Sequence, residues 1–181
     1  MTMPAQKPGK SKQDYQTPLE FIKAVEQRLC ITEFSIDLAA SKENTIADIF
    51  YTEEDDSLSD IKWNWGGWAW LNPPFSHIEP WVEKAVREAA LGAHIAMLVP
   101  ASVGANWWRS YVEPFAYQSF LNGRLCFIPD WREQGFKSAP LYPKDCALLL
   151  YTPWGFRGTE IWSWRAGYDM PEVPEPEVSE D

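Results

Sequence analysis

The residues best suited to chemistry are Asn72, Pro73, Pro74 and Phe75, which close the apolar run Trp68–Leu71. Two consecutive prolines donate no backbone N–H, and a residue that precedes proline is driven out of the α region, so the segment is a rigid elbow. Its acceptors are the side-chain oxygen of Asn72 and the carbonyl of Pro73, preorganised at little entropic cost. Two fixed acceptors side by side can take both hydrogens of a planar NH₂ group. They then favour a pyramidal nitrogen whose lone pair is free to attack. Phe75 adds a flat apolar face on which a ring can stack. The alternative reading of the same four residues is a turn and nothing more.

Two acidic positions accompany the elbow: Asp37, the one acid in the apolar stretch FSIDLAA, and the run Glu53-Glu54-Asp55-Asp56. The elements that must bring them together read as follows. Thr17 as N-cap, Pro18 at the first helical position and Glu20 three residues after the cap predict a helix over QTPLEFIKAVEQRL, with Phe21, Ile22, Val25 and Leu29 inward. FSIDLAA, IADIFYT and GWAWLNP read as strands. Ser76-His-Ile-Glu79 reads as a second capping box, opening a helix with Ile78, Trp81, Val82, Ala85, Val86 and Ala89 inward and stopping at Gly92. HIAMLVPAS is a continuous apolar strand of the doubly buried kind. NWWRSYVEPF suggests a short helix, and YQSFLNGRLCFI with DCALLLYTPW suggests a closing antiparallel hairpin.

This alternation predicts an α/β fold with a mainly parallel sheet and helices on both faces. In such sheets the ligand crevice lies outside the carboxyl ends of the strands. Asp37, the 53–56 acids, Asn72 and the Pro100 turn should therefore converge. The domain is expected over 14–168, after a flexible arm at 1–13 and before an acidic, Pro/Glu-rich tail at 169–181 whose composition reads as disordered.

Composition narrows the class. With 181 residues, 45% apolar and 23% charged, the chain reads as one soluble domain. No apolar run reaches a membrane span, and the first residues lack a signal-peptide core. Cys30, Cys126 and Cys146 form no CxxC pair, which points to a reduced cytoplasm; with His77 and His94 the only histidines, no metal site is expected. The net charge of −10 is unevenly spread. Six acids fall in the tail and nine between 33 and 60, where Lys42 is the sole base, whereas 101–165 holds seven bases against five acids. The tryptophans at 63, 65, 68, 70 and 81 read as core, and of the adjacent Trp107 and Trp108 one is expected at the crevice.

Asn72-Pro73-Pro74-Phe75 resembles the (Asp/Asn/Ser)-Pro-Pro-aromatic motif of amino-methyltransferases that use S-adenosylmethionine. The order DYQTPLEF, FSIDLAAS, YTEEDDSL, WAWLNPPFS, WVEKA, LVPAS, NWW and FLNGRLCFI, spanning about residues 14–152, is similar to the phage-type DNA N6-adenine methyltransferase (Dam-like) family. The resemblance implies a Rossmann-like methyltransferase fold, S-adenosylmethionine as methyl donor and adenine in DNA as acceptor. It implies that Tyr15, Thr17 and Pro18 contact the cofactor. Asp37, with Ala39 and Ala40, would face its methionine end, and Asp55 or Asp56 its adenosine. Asn72, Pro73, Pro74 and Phe75 would be catalytic, with Phe75 stacking on an adenine taken out of the helix. DLAAS departs from the glycine-rich turn that methyltransferases commonly carry, so a helix directly after it is not expected. Arg124, Arg132, Lys137 and Lys144 are the candidate DNA contacts, although Arg124 could equally tie down a hairpin. Methylation of RNA adenine or protein glutamine uses the same motif, and a non-catalytic nucleic-acid-binding domain is the alternative from another class.

Overall fold

The computed structural model describes residues 16–127 and 142–165. Helix α1 (Leu19–Leu29) begins behind Pro18, whose carbonyl accepts the N–H groups of Phe21 and Ile22 at 2.9 and 3.1 Å. Pro18 rather than Thr17 is therefore the N-cap, one residue later than the capping box predicts. Phe21, Ile22 and Val25 are buried as the spacing requires, and Cys30 ends the helix in the left-handed region. Helix α2 (Glu79–Ala90) has Ile78 as its N-cap, two residues later than the Ser76 box predicts. Pro80 in its first turn supplies a preset φ. Gly92, at φ 107°, turns the chain out of the helix where a side chain would be strained.

The strands are β1 (Ile36–Asp37), β2 (Trp68–Leu71), β3 (His94–Pro100), β4 (Tyr117–Asn122), β5 (Cys146–Tyr151) and β6 (Gly158–Ser163). They form one six-stranded sheet in the order β1-β2-β3-β5-β4-β6. β1–β2, β2–β3 and β4–β6 are parallel, while β5 is antiparallel to both β3 and β4. The sheet is thus mixed, with its antiparallel pairs at the centre, whereas the sequence pattern points to a mainly parallel one. Hydrophobic run length cannot distinguish the two cases, because β3 and β5 are both buried on two faces.

Alternate residues of β2, β3 and β5 divide between two cores. Ala69, Leu71, Ile95, Met97 and Leu149 pack with Val82, Ala85 and Ala89 of α2. Trp70, Ala96, Leu98 and Leu148 pack with Phe21, Ile22 and Val25 of α1. The two helices therefore cover opposite faces. Each of these fully buried large side chains is worth roughly 1.5–3 kcal/mol of apolar burial.

The local expectations fare unevenly. The strand predicted over IADIFYT reduces to one bridge, Phe50 against Asp37. The short helix predicted over NWWRSYVEPF is present as a π-helix, Trp108–Val112. β6 has no counterpart in the sequence pattern, because an edge strand with exposed Thr159 and Ile161 lacks an apolar run. Its Gly158 lies against the Tyr117 ring, 2.5 Å from where a Cβ would sit, so only glycine fits there. The N-terminal arm and acidic tail lie outside the described residues.

Candidate active site

The carboxyl ends of β1, β2 and β3 present Asp37, Asn72 and Pro100 along one edge, and a cleft of about 440 Å³ opens there. That is large enough for a nucleoside-sized ligand. Three segments wall it: the loop after β1 (Leu38–Ser41 and Asn44), the turn 52–57 and the elbow at Asn72 and Pro74 with Trp81 behind. No α-helix lies between β1 and β2 among the described residues, in keeping with the glycine-free DLAAS.

Asp37 does not line the cleft. Its side chain turns back, Oδ1 accepting the N–H of Ala39 and Oδ2 that of Ile46, each at 3.2 Å. Burial pushes its carboxyl up to about 6, against the opposing pull of those two hydrogen bonds. The carboxylate thus fixes the loop whose backbone forms the first wall. The expectation that it faces the ligand is replaced by a supporting position one layer back.

The acidic run is sorted in the same way. Thr52 donates both its backbone N–H and its hydroxyl to Asp55 Oδ2, at 2.8 Å each, closing the 3-10 turn Glu53–Asp55. Those bonds hold the exposed Asp55 carboxyl below its usual range. Asp55 is not a lining residue; Asp56, Glu53 and Thr52 are. Asp56 adopts the left-handed conformation, φ 49°, and its Oδ1 accepts the N–H of Leu58 at 3.2 Å. Ser57 closes the wall by donating its hydroxyl to the Leu38 carbonyl.

The elbow holds the one buried side-chain polar atom that has no partner among the described residues: Asn72 Oδ1. The other end of the same amide is held, because Nδ2 donates to Thr17 Oγ1 at 3.3 Å. Thr17 is itself buried, and the hydroxyl that local pattern assigns to helix capping serves Asn72 instead. Pro73 is buried and Phe75 half-buried. The Phe75 ring meets Phe127 and Tyr142 edge to face, each at 5.7 Å. It joins an aromatic cluster beside the cleft.

The remaining candidates separate. Pro18 caps α1, and Ala39 and Ala40 line the cleft. Tyr15, Arg132 and Lys137 lie outside the described residues. Arg124 is exposed and pairs with Asp145 at 3.4 Å, as a hairpin tie would. Lys144 is exposed beside it. Both stand at the cleft end of the sheet, since the Asp145 carbonyl accepts the N–H of Ala101 just past β3. Ser41, Asn44, Glu53 and Trp81 also line the cleft; all but Asn44 fall within FSIDLAAS, YTEEDDSL and WVEKA, though the sequence assigns none of them an individual contact. Trp81 reads as core, and it does stack on Trp63, with ring centroids 6.2 Å apart. Trp108 is buried and Trp107 half-buried.

No group of His, Cys, Asp and Glu among the described residues could hold a metal ion, and no described helix is long and apolar enough to cross a membrane. What fold and site define is a mixed α/β domain with a strand-end cleft for a nucleoside-sized ligand and an acceptor poised for an N–H donor. The family model for DNA N-6-adenine-methyltransferase (Dam) matches residues 5–162. The chain is 35% identical over 96 residues to a DNA N-6-adenine-methyltransferase of Escherichia phage T1, covering 52% of this chain and 38% of that protein. It is 31% identical over 142 residues to a DNA N-6-adenine-methyltransferase of Haemophilus phage HP1, covering 77% of this chain and 79% of that one. No solved structure gives a significant match. The chain belongs to the DNA N-6-adenine-methyltransferase (Dam) family.

Proposed function

We propose that this chain is a phage-type, adenine-specific DNA methyltransferase that transfers the methyl group of S-adenosylmethionine to the exocyclic N6 amine of adenine. The family match supports the reaction class. The observation that carries the assignment to this site is Asn72 Oδ1, buried and without a partner on a Pro-Pro elbow. Leaving an acceptor in that state costs about 1–3 kcal/mol, which is difficult to explain unless a donor arrives during function.

The cleft suits the cofactor in size and donor set. Asp56 and Glu53 offer carboxylates for the ribose and adenine end, and the loop Ala39–Ser41 offers main chain for the methionine end. Asp37 serves that wall from behind by fixing the loop. When bound, S-adenosylmethionine supplies a methyl group made electrophilic by the sulfonium.

The chain's own residues prepare the amine. The lone pair of adenine N6 is delocalised into the ring and is a poor nucleophile. Asn72 Oδ1 and the Pro73 carbonyl accept its two hydrogens and favour a pyramidal nitrogen, with acceptors already oriented before the reaction. Thr17 keeps the amide from rotating away. Phe75 offers its remaining face to the extruded base, backed by Phe127 and Tyr142. The Rossmann-like methyltransferase reading of the fold fits the strand directions: five strands run one way and only β5 is reversed.

The test is to express the chain in a bacterial host lacking its own adenine methyltransferases, digest the DNA to nucleosides and measure N6-methyladenine by mass spectrometry. The modified nucleoside should appear with the native chain and not with Asn72→Ala. Its presence only in RNA, or only as methylated glutamine in protein, would reassign the substrate.

A further inference from the structure

We propose that Lys84 and Glu88 of α2 are positioning residues for the methyl-donor cleft, setting the distance between the acid turn and the elbow; this rests on the cofactor reading above. Both are buried, at 3% and 8% exposure, and lie one turn apart with Nζ and Oε1 3.6 Å from each other. Charges are almost never buried this deeply without a task, since well-packed apolar residues of similar volume are often at least as stable.

The pair acts on main chain. Lys84 Nζ donates to the carbonyls of Ser59 and, at 2.8 Å, of Ile61. Glu88 Oε2 accepts the N–H of Trp63 at 2.9 Å. The Trp63 indole N–H in turn donates to the Ser57 carbonyl at 3.0 Å, and the Ser57 hydroxyl donates to Leu38. Ser57 and Leu38 line the cleft, as does Trp81, whose ring stacks on Trp63.

Residues 57–67 contain no helix or strand; Tyr51 and Ser57 tie the turn 52–57 to the β1 wall, and Lys84 and Glu88 hold the segment that follows it to α2. α2 itself follows directly from the elbow. Three main-chain groups gripped by one ion pair therefore tie the acid wall to the element that carries Asn72. An apolar pair could fill the volume but could not fix that register.

The test uses the full chain and calorimetric titration with S-adenosylhomocysteine. Either single neutralisation would strand the opposite buried charge, so the informative variant is Lys84→Met/Glu88→Gln, in which Gln keeps an acceptor for Trp63 while the two main-chain bonds of Lys84 are lost. The double variant should bind about tenfold more weakly, on the scale of one charge-assisted hydrogen bond. Its single-turnover rate at saturating methyl donor should stay within about twofold of the native chain, because only the wall has moved. The near-ultraviolet circular dichroism of the Trp63–Trp81 stack should change. A folded double variant with native affinity would overturn the proposal. So would an equal loss in rate at saturation, which signals general damage. If the native chain fails to bind the probe, the cofactor reading itself falls, an outcome recognisable before any variant is made.

Discussion

The wall built from residues 37–57 and the elbow at 72–75 face one cleft but treat their polar atoms in opposite ways. Asp37, Asp55 and Ser57 all hydrogen-bond groups of the chain itself, and the wall is complete without a ligand. In the elbow, Asn72 is anchored through its nitrogen and left open at its oxygen. Groups that shape a site can be satisfied permanently, whereas a group that must meet a reacting atom has to stay unsatisfied until that atom comes. The folded state bears the cost, and the buried strands around the elbow offset it.

The sharpest way to break this contrast is to remove the open acceptor. Asn72→Ala should slow methyl transfer in single turnover by roughly a hundred- to a thousand-fold, the usual consequence of deleting one preorganised polar group. Affinity for S-adenosylmethionine should change far less. A native single-turnover rate would reduce the elbow to a turn.

On the wall side the largest effect is one of pH. The Asp37 carboxyl titrates near 6 in the fold against 3.8 for the ordinary group, so the folded state holds its proton more tightly. The stability this confers is complete below about pH 4 and is lost as pH rises through about 6, a change of about 3 kcal/mol. Urea titrations of the native chain and Asp37→Asn across pH 4 to 7 should therefore diverge, the native chain losing stability relative to the variant. Parallel profiles would mean that Asp37 titrates as an exposed acid.

A smaller effect separates two neighbours. Asp56→Ala should weaken S-adenosylmethionine binding about tenfold, while Asp55→Ala, on an exposed side chain that closes its own turn, should leave it nearly unchanged. Calorimetry on both variants decides it, and the reverse ranking would move the ligand to the outer side of the turn. Smallest of all, Arg124→Gln with Lys144→Gln should flatten the salt dependence of DNA affinity by about 0.9 in log–log slope for each phosphate no longer neutralised. An unaltered slope would remove the cleft end of β4 and β5 from the DNA face.

Much of this is legible in the sequence where a local pattern carries it. The NPPF elbow after an apolar strand, the Phe21-Ile22-Val25 stripe and the stop at Gly92 all follow from short-range rules. The misreadings share one cause. Thr17 and Ser76 have the composition of helix caps, but Thr17 meets a partner 55 residues away, and no periodicity reports such a pairing. Asp37, and one of Asp55 and Asp56, read as cofactor contacts through the resemblance; in the fold Asp37 accepts from Ala39 and Ile46, and Asp55 from Thr52. β6 escapes notice because its partner β4 supplies the order that its own exposed residues do not.

The place of β5 between β3 and β4 also sets the order in which the sheet can close. β3 is complete at Pro100, yet its outer edge stays unpaired until residues 146–151 exist, and β4 likewise waits for β5. A ribosome-bound chain that ends before Cys146 holds the β1-β2-β3 sheet and an unpaired β4 with apolar edges bare, the kind of species prone to aggregate. Because the pairings that join them span long stretches of sequence, their closure should be the slow step of folding. Assembly of the sheet is then a late event, awaiting β5 to join its halves and β6 to cover the far side of β4.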